Sequence, residues 1–98
     1  MNELKKEQIE ELYDLYTVRS GYMTEHMEYG LTDEARAIKA FKKSKEMDKR
    51  IDEKWSEIGK RIGVGTAYFA EKLLNAVYPK SISRYMQCLT ICGVGVEE

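Results

Sequence analysis

Hydrophobic residues recur along this chain at three- and four-residue intervals, and no stretch alternates strictly between apolar and polar positions. The pattern predicts helices throughout and no strand bounded by turn residues. Ile9, Leu12, Tyr13 and Tyr16 fall on one face of a first helix over residues 3–18, with Glu and Lys opposite. The segment "RSGY" predicts a break at Gly21, followed by a short helix over 23–29 with Met23, His26 and Met27 on one side. Gly30 is placed to end that helix, because glycine enters the left-handed conformation at little steric cost.

The segment "LTDEARAIKAFKK" restarts the pattern. Thr32 is suited to cap the next helix, and Asp33 and Glu34 favour the positive end of its dipole. Ala35, Ile38 and Phe41 or Lys42 define the expected apolar face. The stripe fades through "KKSKEMDKR", which predicts a break or an exposed stretch near 47–50, and returns with Ile51, Trp55, Ile58 and Ile62. The pattern leaves open whether 33–62 is one helix or two. A further helix, capped by Gly65 or Thr66, runs through residue 75 with Phe69, Leu73 and Ala70 inward. "AVYPKS" predicts a loop, since Pro79 lacks an amide hydrogen and biases Tyr78 towards extended backbone. Ser81 caps a last helix with Ile82, Tyr85 or Met86, Leu89 and Cys92 inward, and Gly93 stops it.

The elements add up to an all-α fold, a small helical bundle. The expected organisation is an acidic helical extension over 1–31 and a helical domain over 32–98. Composition agrees: 43% hydrophobic and 34% charged residues suit a water-soluble protein with one modest core. No run approaches the ~18 apolar residues of a membrane span, and "MNELKKEQIEELYDLY" has no secretion-signal pattern. A cytoplasmic protein with no membrane partner is expected.

Net charge is -1, but it is unevenly distributed. Residues 1–34 hold three basic and nine acidic groups, whereas residues 35–96 hold thirteen basic and six acidic ones. An acidic front on a basic body predicts either contact between the two or a polyanionic partner for the body. Cys88 and Cys92 lie one helical turn apart, too few for a zinc site, and the single histidine, His26, is distant in sequence. Reduced thiols packed as small hydrophobes are expected, with no metal, no cofactor and no catalytic group. The tyrosines, including Tyr13, Tyr16, Tyr68 and Tyr85, fit half-buried positions on amphipathic faces.

The two glycines in "RIGVGTAYFAEKLLN", residues 61–75, invite comparison with phosphate-binding loops. A P-loop needs a preceding strand and a lysine after its last glycine, and the dinucleotide fingerprint needs a third glycine where Tyr68 stands. Neither requirement is met. The order helix, glycine, hydrophobe, small residue, helix, proline loop, helix, glycine instead resembles the helix-turn-helix family of Cro and phage-repressor proteins. The matching stretch is "EIGKRIGVGTAYFAEKLLNAVYPKSISRYMQCLTICGV", residues 57–94.

That resemblance implies that Ile58 and Ile62 are buried on the first motif helix and that Gly59 lets the two motif helices cross closely. It places Gly63 at a turn needing positive φ, makes Val64 a plug into the core, and sets Phe69 and Leu73 beneath the recognition helix. It further implies a small, non-enzymatic transcriptional regulator, dimeric on double-stranded DNA, with its acidic N-terminal helix available to a protein partner. Base contacts would fall on Gly65, Thr66, Ala67, Ala70 and Glu71. Phosphate contacts would fall on Lys60, Arg61, Lys72, Lys80, Ser81, Ser83 and Arg84. The segment is also similar to the helix-turn-helix-like N-terminal domain of cyanases, through the run from Ala67 to Leu74. In cyanases that domain serves assembly, which implies an alternative: a protein-interaction module, such as an inhibitor or anti-repressor, that keeps the fold without binding DNA.

Overall fold

The computed structural model describes residues 3–97. In chain order the elements are β1 (Leu4–Lys5), α1 (Lys6–Tyr29), α2 (Glu34–Ile62), α3 (Val64–Val77), α4 (Ile82–Ile91) and β2 (Val96–Glu97). Four helices make up most of the chain, so the fold is all-α. The two-residue strands pair in parallel, Leu4 with Val96 and Lys5 with Glu97. A ladder this short leaves no alternating pattern in the sequence, which is why periodicity did not find it.

The chain divides into two compact units, one of residues 1–11 with 53–98 and one of residues 12–52. The division differs from the expected boundary after residue 31. Residues 30–33 are the turn of a helical hairpin made by the later part of α1 and the first part of α2. The amide of Asp33 donates to the carbonyl of Tyr29 across that turn (2.9 Å).

In the hairpin unit, α1 passes through Gly21 without a break. A Cβ at Gly21 would meet nothing within 4 Å. An interior glycine costs only about 1 kcal/mol relative to alanine, and both sides of it are held against α2. Arg19 Nη1 donates to Asp48 Oδ1 (3.1 Å), and Arg36 Nε donates to Glu25 Oε1 (2.8 Å). The cap of α2 is Asp33 and not Thr32: its Oδ1 accepts from the Arg36 amide (3.1 Å).

α2 is one helix of 29 residues, with no break near 47–50. Its inward stripe is Ala37, Ala40, Ser44, Met47 and Ile51, whereas Ala35, Ile38 and Phe41 are exposed. The expected face was therefore displaced. Ser44 and Met47 carry the stripe through "KKSKEMDKR", and a hydrophobicity pattern does not register the serine, which leaves Met47 isolated among charged residues. Ser44 is buried because its hydroxyl donates to the Phe41 carbonyl (2.6 Å), which satisfies the only polar atom it brings inside.

In the other unit the core gathers Leu4, Ile9, Trp55, Ile58, Ile62, Leu74, Tyr85, Leu89 and Val94. Lys54 bridges to Glu11 at its surface. Ser81 caps α4 by accepting from the Arg84 amide (3.2 Å). The far end of α4 closes on Gly93, whose φ is +84°. There the Val94 amide reaches the Leu89 carbonyl (2.8 Å) and the Gly93 amide reaches that of Thr90 (3.0 Å). This double bond pattern with a buried hydrophobe just beyond the glycine is the Schellman stop.

Candidate interaction surface

α2 ends and α3 begins around a single residue, Gly63. Its φ of +98° and ψ of 142° lie where a side chain is strained. The Gly63 amide closes the last turn of α2 onto Gly59 (2.9 Å), and its carbonyl accepts the first bond of α3 from Ala67 (3.0 Å). Gly59 permits the crossing: a Cβ there would lie 3.6 Å from the Ala67 Cβ and 3.9 Å from the Val64 Cα. Both glycines act as the resemblance implied.

The rotation of α3 differs from what it implied. The helix starts at Val64, ahead of the expected cap at Gly65 or Thr66, and it buries Ala67, Ala70 and Leu74. Val64 is 80% exposed, Tyr68 61% and Phe69 44%. So Val64 does not plug the core, Phe69 does not anchor the helix from below, and Tyr68 is not a half-buried tyrosine. The physical cause is the crossing at Gly59, which draws the smallest face of α3 against α2 and turns the bulky face outward. The Tyr85 hydroxyl from α4 then holds this face by donating to the Ala70 carbonyl (2.6 Å).

Of the expected base-contacting residues, Ala67 and Ala70 are therefore buried and offer no surface to a base edge. Gly65 and Thr66 are exposed, and Glu71 is half-buried. The expected phosphate contacts are spread over three helices and a loop. Lys60, Lys72, Lys80, Ser81, Ser83 and Arg84 are exposed, but the Ser81 hydroxyl is engaged as the cap of α4. Two guanidinium nitrogens of Arg61, Nε and one Nη, are withdrawn from solvent with no acceptor among the described residues. The Lys72 ammonium lies 5.1 Å from the centre of the Tyr68 ring.

The charge of the unit as a whole is nearly balanced. The unit that carries α3 and α4 holds eight basic and nine acidic residues. The basic excess read from the sequence is divided between the units: residues 35–52 hold seven basic and three acidic groups and residues 53–96 six basic and three acidic ones. In the hairpin unit Arg36 pairs with Glu25 of the acidic α1. Both cysteines are free thiols; Cys88 is half-buried, and Cys92 is exposed at the C-cap of α4 instead of packed inward. His26 faces the hairpin interior, with Nδ1 2.9 Å from the Ala37 carbonyl and its ring 5.1 Å from that of Phe41. Among the described residues no cluster of His, Cys, Asp and Glu could hold a metal ion, and no helix is long and apolar enough to cross a membrane.

Sequence reasoning missed Val64 and Tyr68 as surface residues. The signal was present: Ala67, Ala70 and Leu74 are spaced three and four apart, a second inward register beside that of Phe69 and Leu73. Comparison with known protein families, with curated proteins and with solved structures gave no match.

Proposed function

We propose that this chain is a non-enzymatic protein-interaction module that keeps a helix-turn-helix arrangement of α2, α3 and α4 and meets its partner through the outer face of α3. The observation that carries the reading is the rotation of α3: Ala67 and Ala70 face inward while Val64, Tyr68 and Phe69 face solvent. A base-reading face needs donors and acceptors aimed into the groove, and this one presents an isopropyl group and two rings. Aromatic residues beside one cation suit the centre of a protein interface, where large rigid groups bury area at low entropic cost. The even charge of the unit supports the same reading, because affinity for duplex DNA rests on phosphate neutralisation.

The second reading is a small dimeric DNA-binding regulator. It is favoured by the close crossing at Gly59, the positive φ at Gly63 and the Ser81 cap, which fall where the resemblance places them. Titration of labelled random duplex DNA with the protein, followed by fluorescence anisotropy across a salt series, separates the two. The proposal expects no binding even at low salt. Binding that falls with salt at a slope near ~0.9 per phosphate contacted, and whose slope flattens when Lys60, Arg61, Lys72 and Arg84 become Gln, overturns it in favour of the regulator.

A further inference from the structure

The outer face of α3 forms a single ridge. Val64, Tyr68, Lys72 and Ala76 follow one another at four-residue spacing, and all four are exposed. Phe69 stands beside them, also exposed. From position 64 to position 76 the ridge runs about 18 Å at the helical rise.

Lys72 lies within this apolar ridge with no counter-charge. Its neighbours three and four positions to either side are Tyr68, Phe69, Asn75 and Ala76, none of them acidic. The one carboxylate of α3 belongs to Glu71, four residues after Ala67 and three before Leu74. That spacing sets it beside the buried stripe and off the ridge. Among the described residues the Lys72 ammonium pairs with no carboxylate, and it lies over the Tyr68 ring, 5.1 Å from its centre.

A partner that covers Tyr68 therefore covers this ammonium as well. A cation buried without a counter-charge is strongly disfavoured, so the partner has to bring a carboxylate into its own apolar contact surface. A straight ridge at four-residue spacing fits the groove between the side-chain rows of a second helix. Single-stranded nucleic acid also offers anions and rings that stack, but it is held by a track of cations along its backbone, and this ridge carries one.

We infer, on the reading that α3 meets a protein, that its partner is an amphipathic helix of another protein whose apolar stripe carries one Asp or Glu, and that this carboxylate pairs with Lys72. The rings supply contact area. The charge pair decides which helices are accepted, because a neutral stripe leaves Lys72 buried and unpaired and a basic one repels it.

The test is selection from a phage-displayed library of random peptides of about 16 residues, four helical turns, on the immobilised full chain. Enriched peptides should share apolar residues at three- and four-residue spacing with one Asp or Glu among them. As synthetic peptides they should lose at least about tenfold in affinity against Lys72→Glu and regain it when their own acid is changed to Lys. The Val64→Ser, Tyr68→Ser double variant, altered only at exposed positions and keeping the far-UV circular dichroism spectrum, should not bind them. Peptides that need Val64 and Tyr68 but carry no acid, or that are indifferent to Lys72→Glu, overturn the carboxylate pairing and leave the α3 reading in place. A selection without binders, or binders indifferent to the double variant, overturns both. Binding of a labelled single-stranded oligonucleotide, or self-association in sedimentation equilibrium, that is lost in the double variant overturns the assignment to a helix of another protein.

Discussion

The Tyr85 hydroxyl of α4 donates a 2.6 Å hydrogen bond to the Ala70 carbonyl of α3, and both residues are fully buried. The bond pins the inward face of α3 and with it the outward face that carries Val64, Tyr68 and Phe69. Tyr85→Phe should cost about 1 kcal/mol in urea unfolding, the net worth of one buried hydrogen bond. Ala70→Gln should cost about 2–4 kcal/mol, because it forces a polar chain into a filled contact. A stable Ala70→Gln protein would show that α3 presents that face to solvent.

Gly63 and Gly65 look equivalent in "GVG", but only Gly63 has a positive φ, and a Cβ at Gly65 would meet nothing within 4 Å. Gly63→Ala should therefore destabilise by about 1–3 kcal/mol. Gly65→Ala, inside the first turn of α3, should stabilise by up to about 1 kcal/mol. Thermal melts of the two variants should move in opposite directions.

At Gly59 the available space is that of one methyl group. A Cβ 3.6 Å from the Ala67 Cβ is an ordinary contact, so Gly59→Ala should be neutral or gain up to about 1 kcal/mol from helix propensity. Gly59→Leu must push α3 off α2 and should cost about 1–3 kcal/mol. Equal tolerance of both in denaturant titrations would remove the close crossing.

The Lys54 ammonium hydrogen-bonds Glu11, and this contact is the main cause that raises its pKa above the ordinary lysine value. A folded pKa raised above the unfolded one stabilises the protein fully below the unfolded value, about 10.4, and the gain is lost as pH rises through the folded value. The stability difference between wild type and Lys54→Met should be about 0.5–1 kcal/mol and constant from neutral pH to about 10. It should shrink above that. A difference that instead fell between pH 7 and 9 would place its origin elsewhere.

How far the fold could be read in advance follows from what each element announces. Ile9, Leu12, Tyr13, Tyr16, Ile51, Trp55, Ile58 and Ile62 are large apolar residues at helical spacing, and all are buried. Ser81 and Gly93 are local devices, readable because a side-chain cap and a left-handed stop depend only on near neighbours. Gly21 misled because a glycine's cost is small against tertiary support. The stretch around Ser44 and Met47 misled because Ala37, Ala40 and Ser44 count as nearly neutral in any hydrophobicity pattern, which left Met47 as a lone apolar residue among charges. The short β1–β2 pair joins residues at opposite ends of the chain, and two residues carry no period.

The candidate surface divides the same way. The sequence by itself determined that α2 and α3 meet at a tight glycine turn, since a small residue at position 59 and a glycine at 63 are backbone requirements written in residue type. It did not determine which side of α3 faces in. "VGTAYFAEKLLNAV" is apolar nearly all round, so two inward registers one residue apart, Phe69–Leu73 and Ala70–Leu74, were both consistent with it. Only the tertiary structure decided between them, by the contact of Gly59 with Ala67 and the hydrogen bond from Tyr85 to Ala70. Close approach of two backbones favours the smallest face over the most hydrophobic one, and that preference put Tyr68 and Phe69 on the surface.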